Sequence, residues 1–204
     1  MMPLRFPLIL ASRSPRRREM LGKAGVQIAV RPADLDDGVL RPGRVSPEQW
    51  VTALAWFKAR RVAEQAQAVG EQLPGTIMAA DTICAHGDKL LGQPRDRAEA
   101  RRMIQHLRNA VHRTITGVCF YDPHVPRRVL LVDAATVRMG EISDDAIEAY
   151  IQSDQWRGKA GGYNLSERIE AGWPIECEGD PATVMGLPMQ RLAPLFAGLR
   201  SPQP

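Results

Sequence analysis

Cysteines and long apolar segments are scarce in this sequence, and their scarcity excludes several classes of protein. The 204 residues include three cysteines, Cys84, Cys119 and Cys177, which are odd in number, far apart and without a C-x-x-C pair. This pattern predicts neither a disulfide framework nor a zinc site and is typical of a reducing compartment, so we expect a cytoplasmic protein. No run approaches the roughly 18–20 apolar residues of a membrane span, and no signal-peptide pattern opens the chain. We therefore expect no association with a membrane.

The usual motifs for binding nucleotides or activating a serine are also absent. The sequence has no G-x-x-x-x-G-K-[ST] loop, no G-x-G-x-x-G fingerprint and no G-x-S-x-G elbow. Its four histidines, His86, His106, His112 and His124, do not have the spacing of metal ligands. Any phosphate chemistry must therefore use a scaffold other than the P-loop or the dinucleotide-binding fold.

What is present is the composition of an ordinary globular chain, with 44% hydrophobic and 25% charged residues and a formal net charge of +4. The length suits one domain over residues 1–204, either undivided or with two lobes around a central cleft, and residues 201–204 are expected to fray. Periodicity and capping residues predict strands at 8–11, 76–85, 114–121, 129–139 and 175–178, and helices at 15–22, 47–69, 96–107, after Ser143 and from Pro188. Because strands and helices intermix and one pair of strands looks antiparallel, we predict an α/β fold with a mixed twisted sheet flanked by helices.

The first predicted strand and helix carry the most informative local pattern. Ser14 and Pro15 are typical of the start of a helix, and Arg16, Arg17 and Arg18 follow at once. The partial positive charge of a helix N-terminus disfavours each of these arginines by roughly 0.3–1 kcal/mol unless an anion lies nearby. Together with the hydroxyl of Ser12 and the backbone N–H groups, the arginines form a phosphate-binding set. The alternative interpretation is a solvated basic face of the helix.

Two further charged residues stand where apolar residues are expected. Lys58 falls on the apolar stripe of the second helix, so it either extends its ammonium to solvent along its own stem or binds a ligand such as a polyphosphate. Asp81 continues a buried strand, where a carboxylate must be hydrogen-bonded, paired or metal-bound. It can cap a turn, or it can act as a base or magnesium ligand, with Asp36 or Asp37 supplying a second oxygen from a separate loop.

Six strings of this sequence together resemble the Maf family. They are Ala11-Ser12-Arg13-Ser14-Pro15-Arg16-Arg17, Lys58-Ala59, Ala80-Asp81-Thr82, Thr116-Gly117-Val118, Lys159-Ala160-Gly161-Gly162-Tyr163 and Gly186-Leu187-Pro188, in the family's order and at its approximate spacing. The resemblance implies an elongated α/β fold similar to that of the inosine triphosphate pyrophosphatases, and often a homodimer. It also implies a cytoplasmic nucleoside triphosphate pyrophosphatase that hydrolyses the bond between the α- and β-phosphates with a divalent metal, Mg²⁺ or Mn²⁺.

The same resemblance implies roles for individual residues. Asp81 stands at the position of the family's proton acceptor, Lys58 and Arg17 are expected to assist catalysis, and Asp37 is a candidate to share the metal with Asp81. The expected substrate-binding residues are Ser12, Arg16, Arg17, Thr82, Lys159 and Ser166. Arg16 and Thr82 match positions associated with the branch of the family that acts on dTTP and UTP.

The chain also departs from the family pattern. Gln93 precedes Pro94 where many members have a lysine, which removes one positive charge. Ser166 stands where the dTTP/UTP branch has a glutamine, and its shorter side chain cannot form the same pair of hydrogen bonds to a pyrimidine edge. Arg16 stands where the branch acting on 7-methylguanosine triphosphate has an aromatic residue suited to stacking on a cationic purine. We therefore predict a dTTP/UTP-like triphosphate or a modified nucleotide as the substrate.

Two other functions are compatible with parts of the pattern. The departures at Gln93 and Ser166 would suit a non-catalytic nucleotide-binding regulator of cell division, although the chain keeps Asp81 and Lys58. The arginine run would suit a nucleic-acid clamp, but no aromatic residues interleave with it in a stacking pattern. We therefore expect a nucleoside triphosphate as the partner and no stable complex with a nucleic acid.

Overall fold

Strands of one sheet alternate with α-helices in the structure, a computed structural model that describes residues 4–35, 40, 42–125 and 127–197. The strands of these described residues are β1 (Leu8–Leu10), β2 (Ile28–Val30), β3 (Ile77–His86), β4 (Lys89–Leu91), β5 (Ala110–Asp122), β6 (Arg127–Met139) and β7 (Ile175–Glu178). The helices are α1 (Pro15–Lys23), α2 (Pro47–Ala68), α3 (Arg97–Leu107), α4 (Asp144–Gln152), α5 (Leu165–Glu170), α6 (Pro181–Val184) and α7 (Met189–Ala197), and a 3₁₀ turn covers Ala160–Gly162.

The sheet has the order β2-β1-β3-β5-β6-β7, and β4 lies beside β3. β1 pairs in parallel with both β2 and β3, whereas β4 is antiparallel to β3 and β7 is antiparallel to β6. Parallel neighbours need a crossover connection, and α1 and α2 provide the two crossovers from β1 to β2 and from β2 to β3. The predicted α/β class, with a mixed sheet and flanking helices, is confirmed.

The predicted helix starts have the capping contacts that their residue types favour. The side chain of Ser14 accepts a hydrogen bond from the backbone N–H of Arg17, and Asp96 and Ser143 cap α3 and α4 in the same way. Ser46 and Gln49 form a reciprocal capping box at the start of α2. These caps satisfy backbone donors that have no partner within the helix.

The chain folds into two compact units. Unit 1 consists of the described residues within Met1–Asp81, Thr116–Asp133 and Gly186–Pro204, and unit 2 consists of Thr82–Ile115 and Ala134–Met185. The tail at 201–204, which was expected to fray, lies outside the described residues. Among the described helices, none combines the length and the apolar composition that a membrane crossing requires.

Unit 1 has a hydrophobic core on each face of its part of the sheet. Because side chains alternate along a strand, Leu8 and Leu10 pack with Met78 on one face, in a cluster that includes residues of α1 and α7. Ile9 packs with Ile77 on the other face, in a cluster that includes the buried residues Ala55, Ala59, Val62 and Ala66 of α2. The long helix α2 therefore covers the second face.

Gly117 allows α2 to lie close to strand β5. A Cβ atom at this position would lie 2.6 Å from the backbone carbon of Val51 and 2.7 Å from the backbone nitrogen of Thr52, both in α2. Such contacts with backbone atoms leave no room for a side chain. Close packing of α2 against the sheet thus explains the glycine in the Thr116-Gly117-Val118 string.

Unit 2 is built around a separate core. Ala100, Ile104 and Leu107 of α3 pack with Ile147 and Ile151 of α4, and Trp156, Tyr163 and Trp173 complete the same cluster. The indole N–H of Trp156 donates to the carbonyl of Ile151, so this fully buried side chain has its polar atom satisfied.

Candidate active site

The position of Asp81 follows from the alternation of strand β3. Ile77 and Ala79 point to the face covered by α2, so Asp81, two residues further on, continues the same face. The residue is buried, with 8% of its surface exposed. The strand therefore directs a carboxylate toward α2 from within a largely apolar strand.

Lys58 reaches Asp81 from that helix. It lies among the buried residues Ala55, Ala59 and Val62, and its ammonium Nζ contacts Oδ1 of Asp81. The side chains of Lys58 and Asp81 are 18% and 12% exposed. The ammonium of this lysine on an apolar stripe thus lies against an acid, a contact that neither sequence-based interpretation named, and the interpretation that it binds a polyphosphate stays a prediction.

The start of α1 presents Ser12 as a donor. The hydroxyl oxygen of Ser12 accepts hydrogen bonds from the backbone N–H of Ser14 at 3.2 Å and from Nη1 of Arg17 at 3.2 Å. These two hydrogen bonds use both acceptor positions of the hydroxyl oxygen. The O–H group can still donate one hydrogen bond. A donor at the N-terminus of a helix suits an anion such as a phosphate.

Arg17 ties α1 to two other segments of unit 1. Its Nε donates to the carbonyl oxygen of Gly186 at 2.9 Å, and its Nη1 donates to the carbonyl oxygen of Ala80 at 2.8 Å. Ala80 immediately precedes Asp81, and Gly186 opens the Gly186-Leu187-Pro188 string. Arg17 thus fixes the backbone beside the acid, in addition to the phosphate role expected of it.

The other arginines of the run differ from Arg17 in their surroundings. Arg13 is exposed and forms an ion pair with Asp34 at 3.4 Å. Arg16 is half-buried one residue before Arg17, whereas Arg18 is exposed. The run is therefore not a uniform basic face, because its members divide between exposed and half-buried positions.

In unit 2, Lys159 is held as a buried cation. Its side chain is 7% exposed, and its ammonium contacts Oε2 of Glu167, whose side chain is 40% exposed. Glu167 lies in the first turn of α5, where its backbone N–H donates to Oδ1 of Asn164 at 3.1 Å. A buried ammonium needs an anionic partner, and Glu167 is one.

The glycine-rich segment that carries Lys159 is braced from several sides. Gly161 has φ +67°, and a Cβ there would lie 2.6 Å from Sγ of Cys84. Its N–H donates to the carbonyl of Gly92 at 3.0 Å, and the hydroxyl of Tyr150 donates to the carbonyl of Gly162 at 2.9 Å. The predicted loop is thus a fixed support for Lys159.

A buried histidine completes this support. Nε2 of His112 lies 2.7 Å from the hydroxyl of Tyr163, at the end of the glycine-rich segment. Burial lowers the pKa of His112 to about 4, so its ring is neutral at neutral pH. His112 is therefore a structural partner of Tyr163 and not a general base.

Ser166, Thr82 and Gln93 were singled out for substrate choice or charge, and all three belong to unit 2. The hydroxyl of Ser166 donates to Oδ1 of Asn164 at 2.9 Å, which leaves its oxygen as an acceptor. Thr82 is half-buried and follows Asp81 in strand β3. Gln93 is exposed next to Gly92, the residue that receives the hydrogen bond from Gly161.

The cysteines do not offer a nucleophile. Burial raises the pKa of the Cys84 thiol to about 11 and that of Cys119 to about 12, so both are protonated near neutral pH. Burial also raises the pKa of Cys177, which is half-buried.

The donor set at Asp81 fits a metal that binds mainly through its substrate. Within the described ranges, no group of three or more histidine, cysteine, aspartate or glutamate side chains converges on one point. Mg²⁺ is commonly held by one or two carboxylates together with substrate phosphates, and the buried carboxylate of Asp81 meets that requirement. Asp36 and Asp37, the other candidate ligands, lie outside the described residues.

Sequence reasoning did not identify two contacts of the predicted residues, one with Glu167 and one with the backbone of Gly186. Glu167 pairs with Lys159 eight residues earlier, a separation with no helical or strand periodicity to reveal it. The backbone carbonyl of Gly186 accepts a hydrogen bond from Arg17. Every residue has a backbone carbonyl, so the residue type does not indicate this contact. Only the folded chain brings these partners together.

The fold and the unit 1 site together define a class of α/β protein. Its mixed sheet carries a buried aspartate that contacts a lysine. The start of α1 carries a serine and arginines, and Arg17 links this helix to the strand that holds the aspartate. The chain belongs to the Maf family, since the family model described as "Maf-like protein" matches residues 7–199.

Relatives of similar length support this assignment. The chain is 38% identical over 200 residues to a protein of Anaeromyxobacter dehalogenans, a match that covers 97% of this chain and 96% of the relative. It is 35% identical over 192 residues to a protein of Salinibacter ruber, covering 94% and 90%, and 35% identical over 197 residues to one of Brucella abortus, covering 96% and 93%. All three relatives are named dTTP/UTP pyrophosphatase.

Proposed function

We propose that this protein is a nucleoside triphosphate pyrophosphatase that hydrolyses the bond between the α- and β-phosphates and releases a nucleoside monophosphate and pyrophosphate. The observation that carries the proposal is the contact between the buried carboxylate of Asp81 and the ammonium of Lys58, in a chain that belongs to the Maf family. The names of its relatives support the same reaction. A non-catalytic regulator would not need this pair, and that alternative is not favoured.

Asp81 is proposed to act on the attacking water or on the metal. As a general base it would take the proton of the water that attacks phosphorus, and Lys58 would hold the carboxylate in place and offset its charge. As a metal ligand it would instead bind the cation that accompanies the triphosphate. The contact with Lys58 serves both roles, because it fixes the direction of one carboxylate oxygen.

Ser12 and Arg17 are proposed to bind substrate phosphate beside Asp81, with Arg16 as a further contact. The O–H donor of Ser12 and the N-terminus of α1 favour a negative charge at this position. Arg17 also holds the backbone of Ala80, so it positions Asp81 while it offsets the charge of the departing pyrophosphate. Lys159, which stands at a phosphate-facing position of the family pattern, is proposed as a further phosphate-binding residue.

A divalent cation, Mg²⁺ or Mn²⁺, is proposed as the cofactor, held by Asp81 together with Asp37 and oxygens of the triphosphate. Such an ion neutralises phosphate charge and makes phosphorus easier to attack. Asp81 supports this choice because it is a buried carboxylate, and Mg²⁺ is commonly held by one or two carboxylates together with substrate phosphates.

For the base, we propose a pyrimidine triphosphate such as dTTP or UTP. The relatives bear that name, and Arg16 and Thr82 match the corresponding branch. Ser166 keeps an acceptor oxygen that can receive one N–H of a pyrimidine, whereas a glutamine offers both a donor and an acceptor. We therefore expect weaker discrimination among bases than in members that carry the glutamine.

We further propose a cytoplasmic location and no stable nucleic-acid partner, with a homodimer as the assembly. The three free cysteines, two of them buried, suit a reducing compartment. The ion pair of Arg13 and the backbone contacts of Arg17 reduce the number of guanidinium groups that a nucleic acid could use.

The test is a panel of dTTP, UTP, CTP, dATP, GTP and 7-methyl-GTP, each with Mg²⁺, with Mn²⁺ and with chelator. We expect the highest kcat/KM for dTTP or UTP and no turnover with chelator. A preference for a purine would overturn the proposed specificity, and activity in chelator would overturn the proposed cofactor. Replacing Ser166 by glutamine should sharpen the preference for dTTP over CTP.

A further inference from the structure

Glu167 is an acidic residue beside Lys159 for which the proposed reaction has no role. Its carboxylate and the Lys159 ammonium are in contact, but the two side chains differ in exposure: 40% for the glutamate and 7% for the lysine. The carboxylate is thus the member of the pair that reaches water.

The backbones of both partners are fixed. The carbonyl of Lys159 accepts from the N–H of Gly162 at 3.0 Å, and Gly161 is tied to Gly92. The N–H of Glu167 is bound to the capping side chain of Asn164. The Glu167 carboxylate can therefore leave the Lys159 ammonium by rotation of its own side chain, which is 40% exposed.

Arg168, the cation next to Glu167 in the sequence, is held by other groups. The guanidinium of Arg168, the next residue, lies 4.4 Å from the ring centroid of Tyr150 and 5.4 Å from that of Trp173. It donates through Nη2 to the side chain of Gln155 at 2.6 Å. Arg168 is thus directed toward aromatic rings and an amide, and the carboxylate of Glu167 is directed toward Lys159.

A buried ammonium is costly without an anion, and Glu167 supplies one when no ligand is present. A phosphate group at Lys159 supplies the same compensation, and it repels the carboxylate because both are negative. The ligand must therefore displace Glu167 to bind. The free energy needed to break the contact between Glu167 and Lys159 is the same for every phosphate ligand that replaces the carboxylate, so the contact weakens the binding of each of them.

We propose that Glu167 competes with phosphate for Lys159 and so lowers the affinity of Lys159 for phosphate ligands, the reaction products included. This inference rests on the proposed function insofar as it takes Lys159 to bind phosphate. Glu167 weakens the binding of pyrophosphate and monophosphate, and it thereby assists the release of products.

The test uses inorganic pyrophosphate as the probe and titration calorimetry on the full chain, so that it does not depend on turnover. Glu167→Gln removes the charge and nearly keeps the size of the side chain, and we expect its Kd for pyrophosphate to fall about three- to tenfold. Glu170→Gln is the matched control: it removes the same charge from an exposed position in the same helix α5 and is expected to leave the Kd unchanged. In a Lys159→Gln background, Glu167→Gln should have no effect.

Pyrophosphate binding that is unchanged or weaker in Glu167→Gln would overturn the inference, as would equal tightening in Glu170→Gln or no detectable binding to the wild type. If Glu167→Gln does not fold, Glu167→Ala replaces it with the same expectation. If triphosphates are not hydrolysed but the charge change still tightens pyrophosphate binding through Lys159, the proposed function fails and the competition stands. In the steady state, the inhibition constant of pyrophosphate for Glu167→Gln should fall by the same factor as its Kd.

Discussion

The ammonium of Lys58 and the carboxylate of Asp81 meet at the face of the sheet that α2 covers, where both side chains are mostly withdrawn from water. A charged pair in such a place contributes little stability compared with apolar residues of similar size, because both groups lose their hydration. A charged pair among apolar residues is therefore better explained by a role in catalysis or ligand binding than by a contribution to stability. The proposed hydrolysis of triphosphates gives the pair that role.

Replacing Asp81 by asparagine should nearly abolish turnover. The amide keeps the size of the side chain but neither accepts a proton at neutral pH nor binds a cation as a carboxylate does, so kcat should fall by about 10²- to 10⁴-fold. The measurement is pyrophosphate release under saturating substrate, with circular dichroism to show that the variant is folded. Asp145→Asn, in the first turn of α4, is the control and should keep wild-type kcat. More than half of wild-type kcat in Asp81→Asn would exclude both proposed roles of the acid.

Arg17 should not be replaceable by lysine. A lysine retains the positive charge but cannot reach the carbonyls of Ala80 and Gly186 with the fixed geometry of a guanidinium. We expect Arg17→Lys to lose about 1–3 kcal/mol of unfolding free energy and at least tenfold in kcat/KM. Arg18→Lys changes an exposed residue of the same helix and should alter neither quantity. Urea unfolding and steady-state kinetics on both variants measure the difference, and equal behaviour of the two would contradict the positioning role.

Gly117→Ala tests whether the close packing of α2 positions Lys58. The added methyl group would collide with the backbone of Val51 and Thr52, so we expect a loss of about 1–3 kcal/mol in unfolding free energy. Because the same helix carries Lys58, kcat should fall as well, at a temperature where the variant is still folded. Gly22→Ala is the matched control: a Cβ there has nothing within 4 Å, and alanine in α1 should stabilise by about 0.5–1 kcal/mol. Unchanged kcat in Gly117→Ala would show that Lys58 is positioned independently.

The stability of the protein should depend on pH through His112. Burial lowers the pKa of this histidine in the folded state from 6.5 to about 4, so between these values the unfolded chain binds a proton that the folded chain does not. The free energy of unfolding should therefore fall by about 3 kcal/mol as the pH falls from 6.5 to 4, and this contribution should be constant above pH 6.5.

Urea unfolding at a series of pH values measures this dependence. His112→Gln lacks the titrating group and should show a shallower decrease in unfolding free energy between pH 6.5 and 4. His124→Gln removes a different histidine and should keep the wild-type slope. An identical slope in His112→Gln and the wild type would contradict the assignment.

Periodicity and capping residues were sufficient to predict the long elements. Ser14, Ser46, Asp96 and Ser143 cap helices as expected, because a cap depends on residues within one turn of each other. Strand β2 and the short helices α5 and α6 were not predicted. They are three, six and four residues long, too short to show a periodic pattern.

The sequence also indicated individual charges of the site, but not what they contact. An acid at the end of an apolar strand and a lysine on an apolar stripe stand out by residue type alone, and the structure brings Asp81 and Lys58 together. Their contact depends on the packing of α2 against the sheet, which local spacing does not encode. The roles of Arg17 at two carbonyls and of Glu167 at Lys159 depend on tertiary structure in the same way.

The most direct test of the proposed reaction is to identify the products from dTTP with separate assays for pyrophosphate and orthophosphate and chromatography of the nucleotides. We predict dTMP and pyrophosphate in equal amounts from the first turnovers, no dTDP, and loss of both products in Asp81→Asn. Formation of dTDP with orthophosphate, or no turnover of any triphosphate in the panel, would contradict hydrolysis at the α–β bond.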